Sequence, residues 1–142
     1  LHIGGREVEV ILAKNPAGLN QVLRTLVAAG DGLRIVFFLN DGLADGRDVS
    51  WIWDVDFELL TGRTARAVAS GRRAWDMALR LKYAGLEPVL TVVPETTAAL
   101  RSALREAPAG GVLHVVPTYT AMLEVRDLLA RWGGRGAFWE EG

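Results

Sequence analysis

The apolar residues of this chain fall into two alternating patterns. Short runs rich in β-branched and aromatic residues alternate with longer segments in which apolar positions recur every three or four residues. Residues 7–13 (EVEVILA) form the first run and lead into Lys14-Asn15-Pro16. Asn15 is a good helix N-cap, and Pro16 suits the first helical position, where its missing N–H costs nothing. A helix is predicted from there, with Leu19, Val22, Leu23, Leu26 and Val27 at helical spacing and Gly30-Asp31-Gly32 as its stop. Residues 33–39 (LRIVFFL) read as a strand buried on both faces. Residues 49–57 alternate in part, through Trp51, Trp53, Val55 and Phe57, which predicts a short strand.

Residues 65–69 predict another strand. Ser70-Gly71 opens a helix through Tyr83, with Trp75, Ala78, Leu79 and Tyr83 on one face, and Gly85 closes it. Residues 88–93 (PVLTVV) read as a strand, and Thr96 or Thr97 caps a helix carrying Leu100, Ala103 and Leu104. Residues 112–116 are the next strand. Pro117-Thr118 leads into a last helix with Met122, Val125, Leu129 and Trp132 on one face. Residues 1–6 read as a linker entering the first strand, and residues 133–142 as a tail with Phe138 and Trp139 placed to dock back. The order β-α-β-loop-β-α-β-α-β-α predicts an α/β, Rossmann-like, mostly parallel sheet with helices on both faces. Ligands in such sheets sit at the carboxyl ends of the strands. Three of these ends stand out: Lys14-Asn15-Pro16, the stretch after Leu39, and Pro117-Thr118-Tyr119.

Length and composition narrow the classes. A chain of 142 residues, half of them apolar and 23% charged, is expected to form one globular domain with a sizeable core. No basic stripe carries interleaved aromatics, which argues against nucleic acid, and no apolar run is long enough for a transmembrane segment. Cysteine is absent, which removes disulfides, thiolate metal sites and a cysteine nucleophile, and fits a cytoplasmic protein. The ends suggest one domain cut from a longer chain.

The net charge of −1 hides an uneven layout. Residues 41–58 hold Asp41, Asp45, Asp48, Asp54, Asp56 and Glu58 against Arg47 alone, a balance of −5, which leaves +4 for the remainder. Composition leaves this stretch open between a solvated acidic turn with capping aspartates and a functional site. Trp51 and Trp53 are too apolar for an exposed turn. On one face of a strand they would form a patch beside the carboxylates, of a kind that suits a protein interface. A magnesium site is a third reading, although the spacing matches no calcium loop. Lys14 and Asn15 mark a helix N-terminus that could contact an anion, but no glycine-rich phosphate loop is present. Arg72-Arg73 at a helix start gains nothing from the dipole; a solvated helix start is the plainer reading, with an ion pair to the acidic stretch or a ligand contact as the alternatives. His2 and His114 have no nucleophile beside them, so the chain holds no nucleophile–base pair of its own.

Four segments, LAKNPAGLNQVLR, FLNDGLADGRDVSWIWDVDFE, GRRAWDMALRLKYAG and PTYTAMLEVRDLL, resemble the C-terminal domain of the MurT family, and the likeness covers nearly the whole chain. The resemblance implies a Mur ligase C-terminal type of fold. It also implies a place in peptidoglycan biosynthesis, in the Mur-ligase-like subunit of the MurT–GatD lipid II isoglutaminyl synthase of Gram-positive bacteria. That complex uses ATP and Mg2+ to activate the D-glutamate of lipid II, at the inner face of the membrane. GatD, a glutamine amidotransferase, supplies the ammonia that makes D-isoglutamine. The family divides the glutaminase triad between subunits, and the Asp it takes from MurT matches Asp48. The turn facing ATP matches residues 13–16, making Lys14 and Asn15 the candidate nucleotide contacts. The family's acidic residue before that turn is replaced by Ile11. A P-loop and a zinc ribbon belong to a central domain outside this sequence, so the isolated domain is expected to be inactive.

The interface expected with the amidotransferase comprises Trp51, Trp53, Asp45 and Asp54. The alternative function is a non-catalytic docking module that only binds the amidotransferase subunit.

Overall fold

A computed structural model describes residues 1–133. The expectation for Phe138 and Trp139 lies outside the described residues. Six strands form one sheet: β1 (His2–Ile3), β2 (Arg6–Val10), β3 (Leu33–Phe38), β4 (Thr64–Ser70), β5 (Leu90–Val92) and β6 (Val112–Pro117). Their spatial order is β1-β2-β6-β3-β4-β5. All neighbours pair parallel except β1, which is antiparallel to β2. Residues 1–6 therefore differ from the expected linker: they carry a strand that closes a hairpin, with the Val8 N–H donating to Leu1 O at 2.7 Å.

The central strands alternate between two cores. Ile35 and Phe37 point into one, Val36 and Phe38 into the other, which is why residues 33–39 contain almost no polar side chain. Helices α1 (Pro16–Ala29) and α2 (Ala74–Tyr83) cover the first face. Helices α3 (Thr96–Glu106) and α4 (Tyr119–Trp132) cover the second. Asn15 caps α1 as expected, its Oδ1 accepting the Gly18 N–H at 2.8 Å. For α3 the cap is Glu95 rather than a threonine. Its carboxylate accepts the Ala98 N–H at 3.0 Å, an acid at the positive end of the helix dipole.

Two expectations from periodicity are corrected. Residues 49–57 contain no strand. They form two short 3₁₀ turns, Ser50–Asp54 and Phe57–Leu60. The buried residues are Val49, Ile52, Val55 and Phe57, the first three spaced by three, which is the period of a 3₁₀ helix and not of a strand. On α2 the buried face consists of Ala74, Met77, Ala78, Arg80 and Leu81. Trp75, Leu79 and Tyr83 face solvent.

Arg80 explains both corrections. Its guanidinium is buried beneath the 3₁₀ turns, where it donates to the carbonyls of Ile52 and Val55 and bidentately to the Glu58 carboxylate at 2.9 and 3.0 Å. The rings of Trp53 and Phe57 each lie 5.3 Å from it. The turns thus wrap around a cation, and α2 must present the face that carries it. Replacing Arg80 by Ala removes its bonds to the Ile52 and Val55 carbonyls and to Glu58, and is expected to cost about 2–4 kcal/mol. Glu58→Gln, at an exposed carboxylate, should cost under about 1 kcal/mol. Urea denaturation of the variants checks the ordering. Arg80 holds the Glu58 carboxylate below its usual range. The ion pair's contribution is therefore present above the ordinary glutamate pKa and lost as pH falls through the depressed value.

Candidate functional site

Two cavities at the carboxyl edge of the sheet flank the loop after β3. The first, about 380 Å³, is lined by Leu12, Ala13 and Lys14 after β2, Ala44 and Asp45 from the loop, and Thr118 and Tyr119 after β6. It lies where β6 inserts between β2 and β3, the point at which the chain reverses its progress across the sheet. The second, about 250 Å³, is lined by Arg47, Asp48, Val49, Ser50, Ile52 and Trp53, with Arg73 and Asp76 from the first turn of α2.

Polar side chains pin the start of the loop. The Asn40 N–H donates to Thr118 Oγ1 at 3.0 Å, and Asn40 Nδ2 to Thr120 Oγ1 at 3.0 Å. Asn40 Oδ1 accepts the Arg72 N–H at 2.9 Å. Gly71 permits this approach: with φ +93, a Cβ there would lie 2.6 Å from the Leu39 carbonyl oxygen. Asp45 then ties the loop to α4. One oxygen accepts the Thr120 N–H at 2.8 Å, and the other accepts the Thr120 hydroxyl at 2.6 Å and the Gly42 N–H at 3.0 Å. Thr118, at the N-cap position of α4, makes no side-chain capping bond, so Asp45 caps that helix from a distant part of the chain. Its bonds assign it to holding the loop, a role that the expectation of an interface residue did not include.

The far end of the loop presents Asp48, which is exposed to solvent. Its Oδ1 accepts the Ser50 N–H at 2.9 Å. The Ser50 hydroxyl first, and its backbone N–H second, hold the Asp48 carboxyl below the usual range, so it is ionised at neutral pH. Arg73 braces the neighbouring wall, donating to Asp41 at 3.1 Å and Asp76 at 2.7 Å, an ion pair with the acidic stretch. Both carboxylates raise the Arg73 pKa, and Arg73 lowers that of Asp76.

The other expected residues separate. Trp51 and Trp53 do not share a face: Trp51 is half-buried against the first core, whereas Trp53 is 45% exposed. Residues two apart on a 3₁₀ turn point in different directions. Asp54 is exposed and lies outside the lining of either cavity. Lys14 borders the larger cavity. Asn15 sits next to it with its oxygen committed to capping α1. Ile11 packs against the first core. Among the described residues no three acids or histidines gather within reach of one metal ion. Nor is any described helix long and apolar enough to cross a membrane.

The match to known proteins is direct. A family model described as MurT ligase C-terminal matches residues 12–122. The chain belongs to the MurT ligase C-terminal family. It is 37% identical over 132 residues to the lipid II isoglutaminyl synthase (glutamine-hydrolyzing) subunit MurT of Streptococcus pneumoniae, covering 91% of this chain and 29% of that protein. The protein of the same name from Staphylococcus aureus is 36% identical over 131 residues, covering 89% of this chain and 28% of its own length. The chain thus spans less than a third of the curated relatives it matches. A murein peptide ligase from Psychrobacter arcticus shares the fold, with a TM-score of 0.60 at 13% identity over 96% of this chain and 29% of the ligase.

Two groups escaped the reading from sequence: Arg80 and the Asn40–Thr118–Thr120 network. Arg73 and Arg80 are seven residues apart, two helical turns, and both meet acids of the 41–58 stretch. That spacing was the available signal. Ser50→Ala should move the Asp48 titration midpoint upward, so that the carboxyl protonates at a higher pH, as followed by carboxyl-carbon NMR. In urea denaturation Asp45→Ala should cost about 1–2 kcal/mol through loss of the cap. Asp54→Ala should stay within about 0.5 kcal/mol.

Proposed function

We propose that this chain is the part of a lipid II-amidating ligase that completes the glutaminase site of a separate amidotransferase subunit, of the GatD type. The observation that carries the reading is Asp48. It is an exposed carboxylate, hydrogen-bonded by Ser50, on the wall of a cavity lined by no histidine and no cysteine. The described chain has no cysteine, and its histidines lie on β1 and β6, away from this loop. A carboxylate so prepared suits an imidazole brought by another protein. Accepting that imidazole's second N–H fixes its tautomer and stabilises the imidazolium. The imidazolium in turn keeps a cysteine as thiolate. Glutamine hydrolysis would then depend on assembly, so ammonia is released only beside the ligase that consumes it.

The larger cavity supports a secondary role in closing over nucleotide. Lys14 offers a cation beside the N-terminus of α1, which suits a phosphate. On the opposite wall the Asp45 carboxylate already occupies the N-terminus of α4 and would repel one. The residues present fit contact with one end of ATP rather than a complete binding site. ATP, bound with Mg2+ by the rest of the protein, would supply the phosphoryl group that activates the D-glutamate carboxylate. Lys14 would help orient it.

The alternative of a docking module is compatible with this reading, and Trp53, exposed on the wall of the Asp48 cavity, favours some docking role. Asp48→Asn in the full two-subunit enzyme separates the chemistry from the docking. The expected result is an intact complex with glutamine hydrolysis reduced at least 10²-fold, within the roughly 10⁴-fold limit known for a serine triad deprived of its orienting Asp. Wild-type hydrolysis by the assembled variant would leave docking alone.

A further inference from the structure

The outer face of α2 has no partner within the described fold. Trp75 is 69% exposed, Leu79 49% and Tyr83 70%, and their spacing of four places them in one stripe along the helix. Trp53 extends the stripe: its ring meets that of Tyr83 edge-on at 5.7 Å, and it is itself 45% exposed. Isolated exposed apolar residues are ordinary, but two tryptophans, a tyrosine and a leucine in one strip mark a contact surface. Tryptophan and tyrosine are the residues most often found to dominate interface energies.

We infer that this stripe is the anchor on which the glutamine amidotransferase subunit seats, alongside Asp48. The inference deepens the reading of Asp48 given above and rests on it. Continuity selects this occupant. Trp53 belongs both to the stripe and to the wall of the Asp48 cavity, and Asp76, beside Trp75, belongs to the same wall. The required area agrees. A standard interface removes about 800 Å² from each partner, a disc of roughly 16 Å radius. Trp75 to Tyr83 spans about 12 Å of helix. A protein that brings an imidazole to Asp48 over such an area therefore covers the stripe. The rim is charged, with the Lys82–Glu87 pair at one end and Arg72 at the other, as expected around a desolvated anchor.

The test measures affinity between the full-length ligase subunit and its amidotransferase partner. Trp75→Ala and Tyr83→Ala should each raise Kd roughly 10-fold or more. Leu123→Ala on α4, exposed to the same 49% as Leu79 but on the opposite face of the sheet, should leave it unchanged. Unchanged Kd in both stripe variants, with Asp48→Asn still abolishing hydrolysis, overturns the anchor and leaves the reading of Asp48 intact. Failure of the wild-type subunit to bind any amidotransferase removes both. Hydroxyl-radical footprinting of the free full-length subunit adds another arm. Protection of Trp75 and Tyr83 without the partner would show that the rest of the same chain covers the stripe. Self-association lost in the stripe variants would assign it to a second copy. Either result overturns the proposal.

Discussion

One buried cation, Arg80, organises the carboxyl end of the sheet. Arg80 rises from the middle of α2 into a space enclosed by two 3₁₀ turns, and nearly all its donors are used there: two backbone carbonyls and both oxygens of Glu58. A 3₁₀ turn makes few backbone bonds of its own and leaves carbonyls that need partners. A hydrophobic residue of similar size could fill the volume but could not supply the donors. Arg80 thus acts less as half of a salt bridge than as the hub on which residues 50–60 are wound. Because Val49 and Ile52 are buried directly beside this hub, the chain before them is fixed, and Asp48 is presented from a firm base.

The opposite end of the loop is held by a different chemistry. Asn40 and Asp45 bond to Thr118 and Thr120 at the start of α4, and Asp45 supplies the cap that the helix lacks locally. The loop is therefore strung between α2 and α4, which lie on opposite faces of the sheet. One side of it borders the cavity with Lys14, the other the cavity with Asp48. Many acids in one segment look from composition like a single site. The structure divides their labour: Asp45 caps, Asp41 braces Arg73, Glu58 pairs with Arg80, and Asp48 is the acid of the segment that lines the second cavity.

Much of the architecture was legible in the sequence because burial in a parallel sheet leaves a plain mark. Residues 33–39 could hardly be anything but a central strand, and Asn15-Pro16 announced the start of α1. The failures have a common cause. Period-two alternation in residues 49–57 was read through Trp51, Trp53, Val55 and Phe57, whereas the buried set was Val49, Ile52, Val55 and Phe57. On α2 Trp75, Leu79 and Tyr83 again misled, since the buried face is built from Ala74, Met77, Ala78, Arg80 and Leu81. In both places size was mistaken for burial: Trp53, Trp75 and Tyr83 are exposed. Asp48 itself carries no local mark that separates it from five other acids. Its Ser50 partner and its cavity are visible only in three dimensions, and the family resemblance selected it where the pattern could not.

The supports of the Asp48 loop are scattered along the chain. Asp45 reaches a partner 75 residues away and Asn40 one 80 residues away, while Arg80 meets its carbonyls across 25 and 28. Such a loop is not a portable cassette. Transplanted into a related ligase it would arrive without the threonines of α4, the arginines of α2 or the glycine at the end of β4 that lets them meet. Substitutions among these groups would also be non-additive, since they share one network. Recombination can therefore move this arrangement between proteins only by moving the whole domain, which makes the domain, and not the acidic motif, the heritable unit.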